Sequence, residues 1–235
     1  MNKLLVITGG TKGIGRAIID IFAGNGFDIA TCARNKEDLQ KLKKEVESSY
    51  PDTTIFIQQA DLSSKKEVEQ FAGFVKSLNR KIDVLVNNAG YFIPGQIHNE
   101  AEGTLESMIN IHIYSAYYLT RQLIAGMIEH KDGYIFNMCS IASIIAYPNG
   151  GSYSVAKFAL YGMTKVLREE MKPHGIRVTA ILPGATLTAS WEGVDLPAER
   201  FIKPEDVAQA VHGAYHMSRQ SVVEEIIIRP QLGDL

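Results

Sequence analysis

Apolar residues in this chain come in short runs rich in valine and isoleucine, and the stretches between them repeat their apolar positions at helical spacing. That alternation constrains the fold more than any other feature, because it is the pattern of βα units laid around a parallel sheet. Strands are expected over residues 3–8, 27–33, 53–59, 84–87, 133–138, 177–182 and 225–229, and helices over 13–24, 36–49, 65–78, 102–129, 153–171 and 204–217. Runs such as LLVIT, VLVN and VTAIL are apolar at successive positions, so both faces of these strands need cover and helices must lie on both sides of the sheet. Pro204 followed by Glu205 and Asp206 makes a strong helix start, joining a fixed φ to acidic groups near the positive end of the helix dipole.

The length of 235 residues suits one domain with one buried core, and two full domains would be cramped. No repeat, low-complexity tract or flexible linker divides the chain, so 1–235 is expected to be one unit. Hydrophobic residues at 46% and charged residues at 21% exclude disorder and fibrous repeats. The formal net charge of −2 provides no bulk field for nucleic acid or an anionic membrane. Cys32 and Cys139 lack the number and spacing for a disulfide framework or a zinc site, which points to a reducing, cytoplasmic compartment. The opening apolar run is too short for a signal peptide, and no stretch approaches the roughly 20 apolar residues of a membrane helix. A protein free of the membrane is expected.

The first strand runs directly into Thr8-Gly9-Gly10-Thr11-Lys12-Gly13-Ile14-Gly15, and a helix follows. Glycines there let backbone N–H groups approach a pyrophosphate at the helix N-terminus, where unpaired donors and the dipole favour an anion. A carboxylate at the end of the second strand would select NAD through the ribose 2′-OH, whereas an arginine suits the 2′-phosphate of NADP. That strand ends Ala33-Arg34-Asn35; Asp28 sits at its other end, and Glu37 and Asp38 belong to the next helix. Arg34, with Lys12 as a second cation, therefore selects NADP(H).

Ser140 follows the fifth strand, and Tyr153-Ser154-Val155-Ala156-Lys157 opens a helix. Residues four apart share a helical face, so the Lys157 ammonium is expected to stabilise a Tyr153 phenolate and lower the phenol pKa from about 10. Ser140, at the C-terminal end of a parallel strand, lies where such sheets bind ligands.

Together, TGGTKGIG at 8–15, Asp61-Leu62, NNAG at 87–90, Asn110, Ser140, YSVAK at 153–157 and Pro183-Gly184 resemble the short-chain dehydrogenase/reductase family, in its shorter single-domain branch. The resemblance covers nearly the whole chain. It implies an α/β, Rossmann-like, doubly wound fold with a seven-stranded parallel sheet in the order 3-2-1-4-5-6-7. It implies that Tyr153 exchanges a proton with the substrate oxygen, Lys157 tunes it and holds the nicotinamide ribose, Ser140 orients the carbonyl, and Asn110 supports a proton relay. Gly9, Thr11, Lys12, Gly13, Ile14 and Gly15 would hold the pyrophosphate, with Arg34 and Asn35 at the 2′-phosphate. Asp61 and Leu62 would bracket the adenine. Asn88, Ala89 and Gly90 would line the ribose and nicotinamide side, and Pro183, Gly184 and Thr186 would complete that wall. A homotetramer or homodimer is also implied.

Two features depart from the family pattern. Thr186 replaces a frequent valine or isoleucine, and the chain ends Arg229-Pro230-Gln231-Leu232-Gly233-Asp234-Leu235 without the Asp-Gly-Gly or Asn-Gly-Gly usual in reductases of 3-oxoacyl thioesters. Thr186 leaves cofactor binding intact, while this ending, with a loop after Thr188 that is somewhat short by comparison, shifts the expected substrate toward a small carbonyl compound or alcohol, as in the sepiapterin reductase and serine dehydrogenase-like branches, with 3-oxoacyl-[acyl-carrier-protein] reduction as the alternative. A non-catalytic dinucleotide-binding regulator or scaffold is a second class, disfavoured by the intact Asn110, Ser140, Tyr153 and Lys157. Ser140 lacks a GxSxG elbow, and His212 and His216 lack a third ligand, so neither a serine hydrolase nor a metal site is expected. The substrate pocket is expected from residues 91–97, 141–147 and an irregular substrate loop at 186–203, with Trp191 as an apolar wall.

Overall fold

The computed structural model describes residues 2–191 and 193–235. Seven strands, β1 (Lys3–Thr8), β2 (Phe27–Ala33), β3 (Ile55–Gln59), β4 (Val84–Asn87), β5 (Gly133–Met138), β6 (Ile176–Pro183) and β7 (Glu225–Ile228), form one sheet in the order β3-β2-β1-β4-β5-β6-β7. Every neighbouring pair is parallel.

Successive side chains of a strand point to opposite faces, and each face meets its own helix layer. Leu5 and Ile7 of β1 join a core with α1 (Gly13–Ala23), α2 (Lys36–Ser49) and α7 (Pro204–His216). Leu4 and Val6, one residue out of phase, join a second core with α3 (Lys65–Ser77), α5 (Ser115–His130) and α6 (Gly151–Met171). The doubly apolar strands are thereby accounted for. Strand order reverses at β1, whose neighbours are β2 and β4, and ligands of such sheets bind in the crevice beyond the strand ends at that reversal.

Several boundaries differ from expectation. The strand expected from residue 53 begins at Ile55, because the Thr53 hydroxyl donates to the Ala23 carbonyl and the Thr54 N–H donates to Asp28. The helix expected over 102–129 begins as α4 (Thr104–Ile109), after Gly103 at φ +86°, and a π-turn over Asn110–Tyr114 separates it from α5. The 186–203 segment holds two single 3₁₀ turns, and its ends are joined where Leu187 N–H donates to the Ile202 carbonyl and Ile202 N–H to the Ala185 carbonyl. Among the described residues, no helix is long and apolar enough to cross a membrane.

Candidate active site

A cleft of about 760 Å³ opens where the strand order reverses. Apart from Asn110, every residue singled out above for cofactor or chemistry lines it.

One end is the glycine turn. Gly9 has φ +69° and lies so close to β4 that an added Cβ would stand 3.1 Å from the Ala89 Cα. A Cβ on Gly15 would stand 2.3 Å from the Gly9 carbonyl oxygen and 2.6 Å from the Asn88 amide nitrogen, so no side chain fits. Asn88 clasps the turn by donating to the carbonyls of Thr8 (2.9 Å) and Gly9 (3.1 Å), while the Thr8 hydroxyl accepts from the Asn88 and Ala89 N–H groups, each at 2.9 Å. At the start of α1, Lys12 supplies no side-chain cap, which leaves the N-terminal N–H groups to whatever enters the cleft.

Arg34 continues the cleft beyond β2, its guanidinium 5.9 Å from the Tyr91 ring centroid. Lys12 is 72% exposed and lies 3.8 Å from Asp38, too loose and too solvated a pair to occupy it. The Asn35 side chain accepts from the Asp38 N–H at 2.9 Å and caps α2. Asp61 accepts from the backbone and hydroxyl of Ser63 at 3.0 and 2.7 Å, which shapes the turn after β3.

The other end is built by β5 and α6. Ser140 follows β5, and its hydroxyl accepts from the Ala142 N–H at 3.1 Å. The first turn of α6 is held by Glu100 from a distant loop, which accepts from the Ser152 N–H at 2.8 Å and from the Ser152 hydroxyl. A carboxylate there also suits the helix dipole. Tyr153 packs edge-on against Phe92 and His112, with centroids 4.9 and 5.4 Å apart. Lys157 is buried, its Nζ 5.6 Å from the Tyr153 ring centroid and donating to the Met138 carbonyl at 2.7 Å.

Burial disfavours whichever form of a group is charged. It pushes the Tyr153 phenol up from its usual value, against a smaller opposing pull from the Ser140 hydroxyl. It pushes the Lys157 ammonium down to about 8. The expected lowering of the phenol by Lys157 is therefore not what this geometry produces. Both groups sit in the same dry wall, and the ammonium spends a hydrogen bond on Met138.

Asn110 opens the π-turn, where its carbonyl accepts from the Ser115 N–H, and it is absent from the cleft lining. Ile111 and His112 of the same turn line the cleft. His112 is 3% exposed, and its Nε2 lies 2.9 Å from the Tyr91 carbonyl oxygen. A carbonyl only accepts, so Nε2 carries the proton and Nδ1 is left as a buried acceptor without a partner. Such a group costs about 1–3 kcal/mol unless something else satisfies it. Burial, then the nearby Lys157, lowers the imidazole pKa well below its usual value.

Of the expected pocket segments, Tyr91, Phe92, Ile141, Ile145, Tyr147, Thr186 and 188–191 reach the cleft. Ile97 does not, being 76% exposed. Trp191 packs edge-on to Phe201 with centroids 5.2 Å apart. Asp234 and Leu235 at the chain end also line the cleft, which sequence patterning did not indicate. His212 and His216 lie with ring centroids 4.1 Å apart and planes tilted by 54° on α7, outside the cleft lining.

Comparison with known proteins matches residues 3–197 to the family model described as short chain dehydrogenase. The chain is 33% identical to a sepiapterin reductase of Chlorobaculum tepidum, an alignment covering 100% of this chain and 99% of the relative. Its fold is similar to an alcohol dehydrogenase of the archaeon Thermococcus sibiricus complexed with 5-hydroxy-NADP, at TM-score 0.90 and 26% identity over 97% of each chain. It is also similar to L-sorbose reductase of Gluconobacter frateurii complexed with NADPH and L-sorbose, at TM-score 0.88 and 27% identity over 97% of this chain and 95% of that one. On its sheet order, its glycine turn and this match across most of its length, the chain belongs to the short-chain dehydrogenase family.

Proposed function

We propose that the protein is an NADP(H)-dependent oxidoreductase that interconverts a carbonyl group and a secondary alcohol on a small molecule. The observation that carries this is the joining, in one cleft, of a glycine-lined helix N-terminus to a wall of Ser140, Tyr153 and Lys157. The glycine end fits a pyrophosphate, since the Cβ-free approach at Gly15 and the uncapped start of α1 leave N–H groups facing an anion. Arg34 and Lys12 fit a 2′-phosphate. Asp61 and Leu62 would flank the adenine, and Asn88, Ala89, Gly90, Pro183, Gly184 and Thr186 would enclose the ribose and nicotinamide. The bound cofactor supplies or accepts a hydride.

The chain's own residues do the rest. Ser140 donates a hydrogen bond to the substrate oxygen and orients it. Tyr153, kept protonated by its burial, delivers a proton as negative charge grows on that oxygen during reduction. Lys157, with a pKa of about 8, exchanges protons near neutrality and can restore the phenol.

Phe92, Ile145, Tyr147 and Trp191 make the substrate end apolar and aromatic, which favours a flat or ring-bearing carbonyl compound. The 33% identity to a sepiapterin reductase supports the same choice. The 186–203 loop, tied at both ends, serves as the substrate loop. Exposed Tyr114, Tyr117, Val155, Phe158 and Val166 on and beside α5 and α6 suit a homodimer or homotetramer, and the two buried free thiols suit the cytoplasm. The test is a panel of ketones, diketones, pterins and 3-oxoacyl thioesters scored for NADPH consumption. Turnover of small ring-bearing carbonyls with NADPH in preference to NADH is expected. Turnover of thioesters alone would move the substrate to a carrier-bound chain, and none would contradict the oxidoreductase reading.

A further inference from the structure

The helix that carries Tyr153 and Lys157 starts without a cap of its own. Gly150 stands at its N-cap position and supplies no side-chain hydrogen bond. Ser152, the next residue but one, is 3% exposed, and an N–H there has no partner within the helix. Glu100 meets that need from the loop after β4, one carboxylate oxygen accepting from the Ser152 N–H at 2.8 Å and the other from the Ser152 hydroxyl. Two glycines leave the space it fills. A Cβ on Gly95 would stand 2.6 Å from the Glu100 Cγ, and one on Gly151, at φ +29°, would stand 1.9 Å from the Glu100 Oε1. The same loop is tied to the approach to α6 at two further points. Gly95 N–H donates to the Asn149 carbonyl at 3.0 Å, and the Gln96 amide donates to the Asn149 side chain at 3.1 Å.

We propose that Glu100 is a positioning residue for the proton transfer, its carboxylate acting through Ser152 to fix the first turn of α6 and so the place of the Tyr153 phenol in the wall it shares with Ser140. This rests on the carbonyl/alcohol oxidoreductase reading. Tyr153 is the third residue of α6, inside the turn that frays when a helix end is uncapped. Lys157 lies a turn further on and is anchored independently, by its bond to the Met138 carbonyl at 2.7 Å. The phenol therefore depends on the loop after β4, which holds it from two sides: Phe92 meets its ring edge-on at 4.9 Å, and Glu100 holds the residue just before it. Proton transfer needs the phenol within hydrogen-bond reach of the substrate oxygen, and a misplacement of about 1 Å costs up to about a hundredfold in rate. The glycine turn that fits the pyrophosphate is built by β1 and α1 and held by Asn88, so it does not depend on this clasp.

Two measurements test this. Glu100→Ala removes both bonds to Ser152, whereas Glu100→Gln keeps an acceptor for the N–H and an amide that can donate to the hydroxyl. In the cofactor-free protein, amide hydrogen exchange at Ser152 should speed up about tenfold or more in Glu100→Ala and stay near the parent rate in Glu100→Gln. Unchanged exchange in the Ala variant would overturn the clasp whatever the enzyme's substrate. In steady-state kinetics well below Tm, Glu100→Ala should lower kcat about tenfold while the NADPH Kd changes less than about threefold, and Glu100→Gln should recover most of the loss. Faster exchange with the parent kcat would make Glu100 a structural cap alone and overturn the proposal. So would a loss confined to NADPH affinity, or one that Gln does not recover. If Glu100→Ala does not fold, Ser152→Ala removes the hydroxyl bond alone and should lower kcat about threefold at constant NADPH Kd; the parent kcat there would overturn the proposal. Tyr153→Phe assayed alongside separates the two levels: if it retains the parent rate, the oxidoreductase reading itself fails.

Discussion

Lys157 donates its Nζ proton to the Met138 carbonyl at 2.7 Å, linking the reactive helix to the end of β5 inside the apolar wall of the cleft. Burial holds its pKa near 8, so the ammonium predominates at pH 7 and gives way to the neutral amine as pH rises past about 8. With saturating cofactor, kcat for carbonyl reduction should fall as pH rises past about 8 and the proton supply behind Tyr153 empties. The sign for stability is opposite. A lysine whose folded pKa is depressed binds fewer protons folded than unfolded between about 8 and its ordinary value of about 10.4. Its destabilisation is therefore complete below that window and relieved across it. Lys157→Met should abolish turnover yet raise Tm at pH 7, with the gain shrinking from about pH 8 and gone above about pH 10; a Tm below the parent at pH 7 would mean that the Met138 bond outweighs the cost of burial.

Arg34 lines the cleft beyond β2, its guanidinium 5.9 Å from the Tyr91 ring centroid. Arg34→Asp should weaken NADPH by about a hundredfold, from loss of a charge-assisted bond and gain of repulsion, and should leave NADH within about fivefold. Equal loss for both cofactors, measured by fluorescence titration, would remove Arg34 from the 2′-phosphate role.

Gly15 has backbone rather than a flexible side chain in the way of a Cβ, at 2.3 Å. Gly15→Ala should cost about 1–3 kcal/mol of stability and loosen NADPH by at least about tenfold, because the turn must open to admit the methyl. Calorimetry and cofactor titration on one sample check both.

Asp28 and Arg80 form a buried ion pair at 2.6 Å on the opposite edge of the sheet from the cleft. Burial would raise the Asp28 carboxyl, but hydrogen bonds from the Thr54 N–H, Arg80 and Asn2 outweigh it and hold the pKa below its usual value. A carboxyl depressed in the folded state contributes stability above its unfolded pKa, about 3.9, and loses it as pH falls through the folded value. Asp28→Asn should cost about 2 kcal/mol at pH 7, narrowing below about pH 3 in urea unfolding. A penalty independent of pH would assign the effect to packing.

The central strands were legible because their apolar residues alternate between two separate cores, Leu5 and Ile7 to one and Leu4 and Val6 to the other in β1, a demand that shows directly in sequence as LLVIT or VLVN. The glycine turn was legible because Gly9 and Gly15 meet backbone that admits no side chain. The π-turn was not: Asn110–Tyr114 has ordinary helix formers on both sides, and its extra residue is stabilised by packing against α6 rather than by a local signal. The contribution of Asp234 and Leu235 was equally hidden, since only tertiary folding returns the tail to Gly184. Glu100 is a third case, because a cap supplied 52 residues away leaves no capping motif next to α6.

The central claim is that Tyr153 passes the proton in an NADP(H)-dependent carbonyl/alcohol conversion. It is tested most directly by comparing the parent and Tyr153→Phe for single-turnover NADPH oxidation with a carbonyl substrate, with NADPH affinity measured on the same preparations. The expected result is loss of at least about a thousandfold in rate with NADPH Kd within about threefold, because the ring and its contacts with Phe92 and His112 remain while the proton is gone. A Phe variant that oxidises NADPH within about tenfold of the parent would contradict it.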